Sequence, residues 1–257
     1  MKTQRWGYLA IITLTTNLSH AATAFFDEDP ATRFAPIYKG TSAIDKEVLA
    51  LCGDWGSQIN SSALKAFCRG QSTILERVNR QPNIRQMTFE QWFGSWTERH
   101  AFSHIFCGEP STKKLGGLHF APRFKQAQDQ GWATMCRSDK PCTDHKHAAI
   151  AEQGIYSVPV WYRIPNSERF NKKPVSGYNL EMSADEILYE ATLAFAHYSK
   201  QISGKKSCIF SVFGNQHYPQ HKAVAAMTPT ALITFYSAGP GGVQHSINRY
   251  GSARSCR

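Results

Sequence analysis

The chain has 257 residues, 42% of them hydrophobic, 19% charged and 12% aromatic, with a formal charge of +10. That apolar content is enough for a full core and excludes intrinsic disorder. Beyond the N-terminal segment no apolar run approaches the ~20 residues needed to cross a bilayer, which excludes an integral membrane protein.

Residues 1–24 hold Lys2 and Arg5, an apolar stretch from Trp6 to Leu14, and Ala22-Thr23-Ala24 ahead of the acidic segment that begins at Phe25. A basic start, short apolar centre and small-residue exit read as a signal peptide cut after Ala24, against the alternative of an N-terminal core strand or helix. Removing Lys2 and Arg5 leaves +8, a charge that suits a polyanionic partner such as nucleic acid or an anionic envelope surface. Cys52, Cys68, Cys107, Cys136, Cys142, Cys208 and Cys256 all outlast the leader. In a secreted or periplasmic protein six of them form three disulfides and one is left over. Spacing does not encode the connectivity; Cys52–Cys68 and Cys136–Cys142 are the pairs closest in sequence.

From Ser42 to about Asn83 apolar residues recur at helical steps, ending at Pro82. Thr88 and Gln91 form a capping box that opens a helix with Phe89, Trp92, Phe93 and Trp96 on one core-facing stripe. Phe120 to Gln130 is helical and closes at Gly131, followed by a polar loop from Cys136 to His147. Gly154 to Ile164 is rich in strand formers, with Pro159 marking an edge or a bulge, and Pro165 to Lys173 is a loop. Ser183 and Glu186 cap a helix that runs to about Tyr198. Ser207–Phe213 and Leu232–Ser237 are strands, and Gly239 to Gly242 a tight turn. Helices first and a mixed part afterwards give an α+β fold: a helical N-terminal region over 25–87, then a domain over 88–257 of antiparallel sheets with flanking helices.

The chemistry is concentrated in Ser103-His104-Ile105-Phe106-Cys107-Gly108-Glu109 and Leu115-Gly116-Gly117-Leu118-His119. A turn-forming segment from Pro110 to Lys114 separates the histidines, a length that folds back and lets the rings converge. Two imidazoles at one point can divide the work of base and acid near neutral pH. Gly116 and Gly117 allow positive φ and a close backbone approach, so main-chain N–H groups there can hold an anionic oxygen.

These two stretches resemble the paired-histidine signature of the EndoU family, uridylate-specific endoribonucleases of animals, nidoviruses and bacteria. Lys173-Pro174-Val175-Ser176-Gly177-Tyr178 is similar to the family's strand that carries a catalytic lysine, and Leu232-Ile233-Thr234-Phe235-Tyr236 to the strand whose tyrosine packs on the ribose. The resemblance covers roughly residues 88–240. It implies cleavage of single-stranded, uridine-containing RNA by 2′-hydroxyl attack, leaving a 2′,3′-cyclic phosphate. His119 is then the base and His104 the acid, with exchanged roles left open by the sequence; Lys173 and the Gly117 N–H neutralise the phosphorane, and Tyr236 meets the sugar. No metal is required, although manganese stimulates some members. The family's base-reading serine follows the lysine by four positions, whereas Ser176 lies three after Lys173 and four after Lys172. Adjacent strand residues face opposite ways, so only one of these lysines fits. Lys205 and Lys206 are a further choice, more simply read as a solvated strand end.

Two other readings remain. Cys136, Cys142, His145 and His147 have the ligand density of a zinc site and would suit a zinc-dependent hydrolase; a small disulfide loop with surface histidines explains them more simply. A basic module that binds RNA without turning it over is the other, with salt-sensitive binding as its mark. His100, His197, His217, His221 and His245 receive no role. The segment from Phe25 to about Met87 is a support for the catalytic part or a contact surface for RNA or for an immunity or inhibitor protein.

Overall fold

A computed structural model describes residues 24–26, 36–135, 149–152, 154–238 and 254–255. Residues 1–23 of the expected leader, the Cys136–His147 loop with its zinc-like cluster, the Gly239–Gly242 turn and His245 lie outside these residues. The long helical pattern at the start resolves into α1 (Ala43–Cys52), α2 (Ser61–Gly70) and α3 (Ser72–Asn79). Gly53, at φ +59, closes α1 by donating its N–H to the Leu49 carbonyl.

The capping box expected at Thr88 and Gln91 is formed, and it opens α4 (Phe89–Thr97). Within the α4 stripe Trp92 and Trp96 are buried, and both indole N–H groups donate to the Thr192 hydroxyl at 2.9 and 3.2 Å. Thr192 lies on α6 (Ala184–Tyr198), which starts at its own Ser183/Glu186 capping box. Between α4 and α6 come α5 (Ala121–Asp129) and the short strands β1 (Glu109–Pro110) and β2 (Leu115–Gly116). They are followed by β3 (Ala133–Thr134), β4 (Ala149–Glu152), β5 (Ile155–Arg163) and β6 (Phe170–Asn179). After α6 come β7 (Lys206–Val212), β8 (His221–Met227), β9 (Leu232–Ser237) and β10 (Arg254–Ser255).

Among the described residues the strands form three sheets. β1 and β2 make an antiparallel hairpin; β5 carries β3 and β4 along one side and β6 along the other; the last sheet runs β10-β7-β8-β9, antiparallel except for the β10–β7 pair. This is an α+β fold with a helical N-terminal region. Residues of α1–α4, α6 and β7–β9 share one hydrophobic core, and Phe25, Phe26, Trp55, Phe124 and Tyr178 belong to a second.

Three expectations change. Pro159 does not mark an edge: β5 is flanked on both sides, and the bulge alternative holds, because the ladder to β6 shifts register between Val158 and Val160. Phe170 to Lys173, read as loop because Asn171, Lys172 and Lys173 are polar, already belong to β6. Cys52 is bonded to Cys107 rather than to its sequence neighbour, and Cys68 is a buried free thiol that burial pushes up to about 12. Cys208 is disulfide-bonded as well, while Cys136, Cys142 and Cys256 lie outside the described residues.

Candidate active site

His104 sits on a π-helical turn, Ser103–Cys107, whose wider bond runs from the Gly108 N–H to the Ser103 carbonyl at 3.0 Å. Gly108, at φ +73, ends the turn and feeds the β1–β2 hairpin, which Ser111 closes through its N–H and hydroxyl to the Lys114 carbonyl. The chain then folds back: the Leu118 N–H donates to the His104 carbonyl and the His119 N–H to the Ile105 carbonyl, both at 2.8 Å. Gly117 makes this approach possible. Its φ is +59, and a β-carbon there would fall on the backbone carbonyl of His104.

The fold-back brings the two imidazoles to a centroid separation of 6.0 Å with 47° between their planes. A parallel bridge between Phe120 and Asn179 sets His119 against β6, where its Nδ1–H donates to the Gly177 carbonyl at 2.9 Å. On its other side Tyr236 of β9 stacks on the His119 ring at 4.7 Å and 17°. Burial, then the charge of Lys173 and that of His104, lower the His119 pKa well below the ordinary imidazole value, against a smaller opposing effect of the Gly177 bond. His119 is therefore neutral at pH 7, and because Nδ1 holds the proton, Nε2 carries the available lone pair.

The His104 environment is different. Its Nδ1 meets the Glu109 carboxylate at 2.8 Å, and both side chains are partly exposed. Burial pushes the Glu109 carboxyl up, but the hydrogen bond and charge of His104, with His100 and Lys114 adding, hold it below the usual range overall. The carboxylate accepts a hydrogen bond from Nδ1–H, which leaves Nε2 as the exchanging atom. Sequence reasoning gave Glu109 no role; the available signal was an acid five residues after a histidine with a glycine turn between them.

Lys173 and Ser176 join this group. The Lys173 ammonium donates to the Gly117 carbonyl and to the Ser176 hydroxyl, the latter at 2.9 Å. Lys172 projects elsewhere, with its ammonium 5.3 Å from the Trp161 ring centroid. Lys206 opens β7, two strands from β9, and pairs with Met227 at the end of the ladder remote from Tyr236. The structure thus brings His104, His119, Gly117, Lys173, Ser176 and Tyr236 together, adds Glu109, and leaves Lys172 and Lys206 aside. Among the described residues no group of three or more His, Cys, Asp or Glu is placed to hold a metal ion.

The arrangement sets two imidazoles and an ammonium close together, groups that can take a proton, give one and offset negative charge in an internal transesterification of a phosphodiester. Comparison with curated proteins gives no significant match. The family model of the bacterial EndoU nuclease matches residues 98–239, a span that takes in both histidines, the lysine and the tyrosine. On that match, which covers more than half of the chain, the protein belongs to the bacterial EndoU nuclease family.

Proposed function

We propose that the protein is an endoribonuclease that cleaves single-stranded RNA 3′ of uridylates and leaves a 2′,3′-cyclic phosphate. The observation that carries this reading is the convergence of two imidazoles, 6.0 Å apart, beside the Lys173 ammonium. His119 Nε2 takes the proton of the 2′-hydroxyl, whose oxygen attacks the adjacent phosphorus. His104, with Nδ1 held by Glu109, gives its Nε2 proton to the departing 5′-oxygen. Lys173 offsets the negative charge that builds on the phosphorane oxygens, and the Gly117 carbonyl anchors its ammonium. Tyr236, stacked on His119, offers its ring to the ribose. The choice of His119 as base, open from the sequence, is supported by its surroundings, since desolvation and the neighbouring Lys173 charge keep that ring neutral.

We place the enzyme outside the cytoplasm, in the periplasm or secreted. The leader-like N-terminus and the Cys52–Cys107 disulfide support this location.

Replacement of either catalytic histidine tests the reaction. His104→Ala and His119→Ala should each lower cleavage of a uridine-containing oligoribonucleotide by about 10²- to 10⁴-fold, the usual worth of one positioned acid or base, with unchanged far-UV circular dichroism. In the wild type, activity should persist as pH falls through 6.5, because His119 gains its proton only well below that value. Wild-type rates in both variants would overturn the reading.

A further inference from the structure

Two residues three apart on a regular strand face opposite sides of the sheet, yet Lys173 and Ser176 meet at 2.9 Å. The reason lies in the β5–β6 ladder. Val160 pairs with Lys173 and Val158 with Ser176, so Pro159 alone on β5 is opposed by Pro174 and Val175 on β6. Neither proline has an N–H to give the ladder, and the extra residue on β6 makes a bulge. The bulge adds the half-turn of alternation that a spacing of three lacks, and it returns Ser176 to the face of Lys173.

The Ser176 side chain is 2% exposed. Its oxygen lies 2.7 Å from the Leu118 carbonyl and 3.3 Å from the Gly117 carbonyl. A serine hydroxyl has one proton and two lone pairs. The proton goes to the nearer carbonyl, Leu118, and a lone pair accepts from the Lys173 ammonium. The hydroxyl thereby ties that ammonium to the backbone one residue before His119.

Resting on the role given to Lys173 above, we propose that Ser176 is a positioning residue, whose buried hydroxyl fixes the Lys173 ammonium relative to His119, and that it does not read the base. Its only proton is spent inside the protein, and almost none of the side chain reaches solvent. Base preference is set by other groups.

The test uses the wild type and Ser176→Ala, with two oligoribonucleotides that carry either uridine or cytidine at one cleavable position, and acetylation of Lys173 followed by mass spectrometry. Displacement of a charged group by about 1 Å costs on the order of 10²-fold, so kcat of Ser176→Ala should fall by about that factor with KM little changed. The uridine-to-cytidine ratio of kcat/KM should stay at the wild-type value. Acetylation of Lys173, normalised to its neighbour Lys172, should be slow in the wild type and faster in the variant. A collapse of the uridine-to-cytidine ratio, an unchanged kcat, or equal acetylation of Lys172 and Lys173 in the wild type would each overturn the proposal. The acetylation ratio needs no turnover, so it decides the role of Ser176 even if the wild type cleaves neither substrate, a result that would instead sink the ribonuclease reading.

Discussion

Gly117→Ala, a change of one methyl group on a residue with no titrating side chain, is expected to lower nuclease activity as far as loss of a histidine. The added β-carbon would coincide with the His104 carbonyl. That partner is backbone and cannot swing aside. The same carbonyl accepts the Leu118 N–H at 2.8 Å, so relief of the clash opens the bond that holds the two histidine-bearing segments together. The residue must also keep a φ of +59, a conformation costing a non-glycine residue roughly 1–2 kcal/mol. Leu118, at φ +69, already bears such a cost at the next position. Misplacement of about 1 Å removes on the order of 10²-fold, and here it reaches His104, His119 and, through the Gly117 carbonyl, Lys173. A loss of at least 10²-fold in kcat/KM on an oligoribonucleotide is expected. A rate near that of the wild type would show that the fold-back is not what aligns the rings.

The second large effect is on stability. The Cys52–Cys107 bond joins α1 to the last residue of the turn that carries His104, across a sequence separation of 55. In the chain-entropy account, closure of a loop of that length constrains the unfolded state by about 4 kcal/mol. Cys52→Ser combined with Cys107→Ser should therefore lower Tm by about 10 °C in a domain of this size, and reduction of the wild type, which also opens the Cys208 disulfide, should lower it at least as far. Activity should fall with it, since Cys107 anchors the His104 turn to the helical region. Arg123 contributes to the same junction: it is 1% exposed and donates to the carbonyls of Cys107, Gly53 and Asp54, with Trp55 and Trp132 against its guanidinium. Thermal unfolding with and without reductant measures the effect, and an unchanged Tm would contradict it.

What was legible in the sequence was what local rules govern. The capping boxes at Thr88 and Ser183 mark where α4 and α6 begin, and the helical spacing of Trp92 and Trp96 marks a buried face. The His104 and His119 segments could be paired because the Pro110–Lys114 turn and Gly117 are short-range devices. What depended on distant partners was not readable. Cys52 finds Cys107 instead of Cys68 because α1 packs on the His104 turn. β8 went unrecognised because its buried run includes Ala223, Ala225 and Ala226, and alanine is depleted in strands. The choice between Lys172 and Lys173 turned on a bulge created by two prolines on different strands. Pro159 announced an irregularity, but only the register to β6 shows which lysine it favours. Glu109 was visible as an acid beside the motif, and its role emerged only with the bend that brings its carboxylate to His104 Nδ1.

The central claim is that the two imidazoles move protons for an attack by the RNA's own 2′-oxygen. It is tested most directly with an oligoribonucleotide in which a single uridine is the cleavable position, compared with the same oligonucleotide carrying deoxyuridine there. The ribose substrate should be cut to a fragment ending in a 2′,3′-cyclic phosphate, identified by its mass, and the deoxy substrate should remain intact. Cleavage of the deoxy substrate at that position would contradict the mechanism.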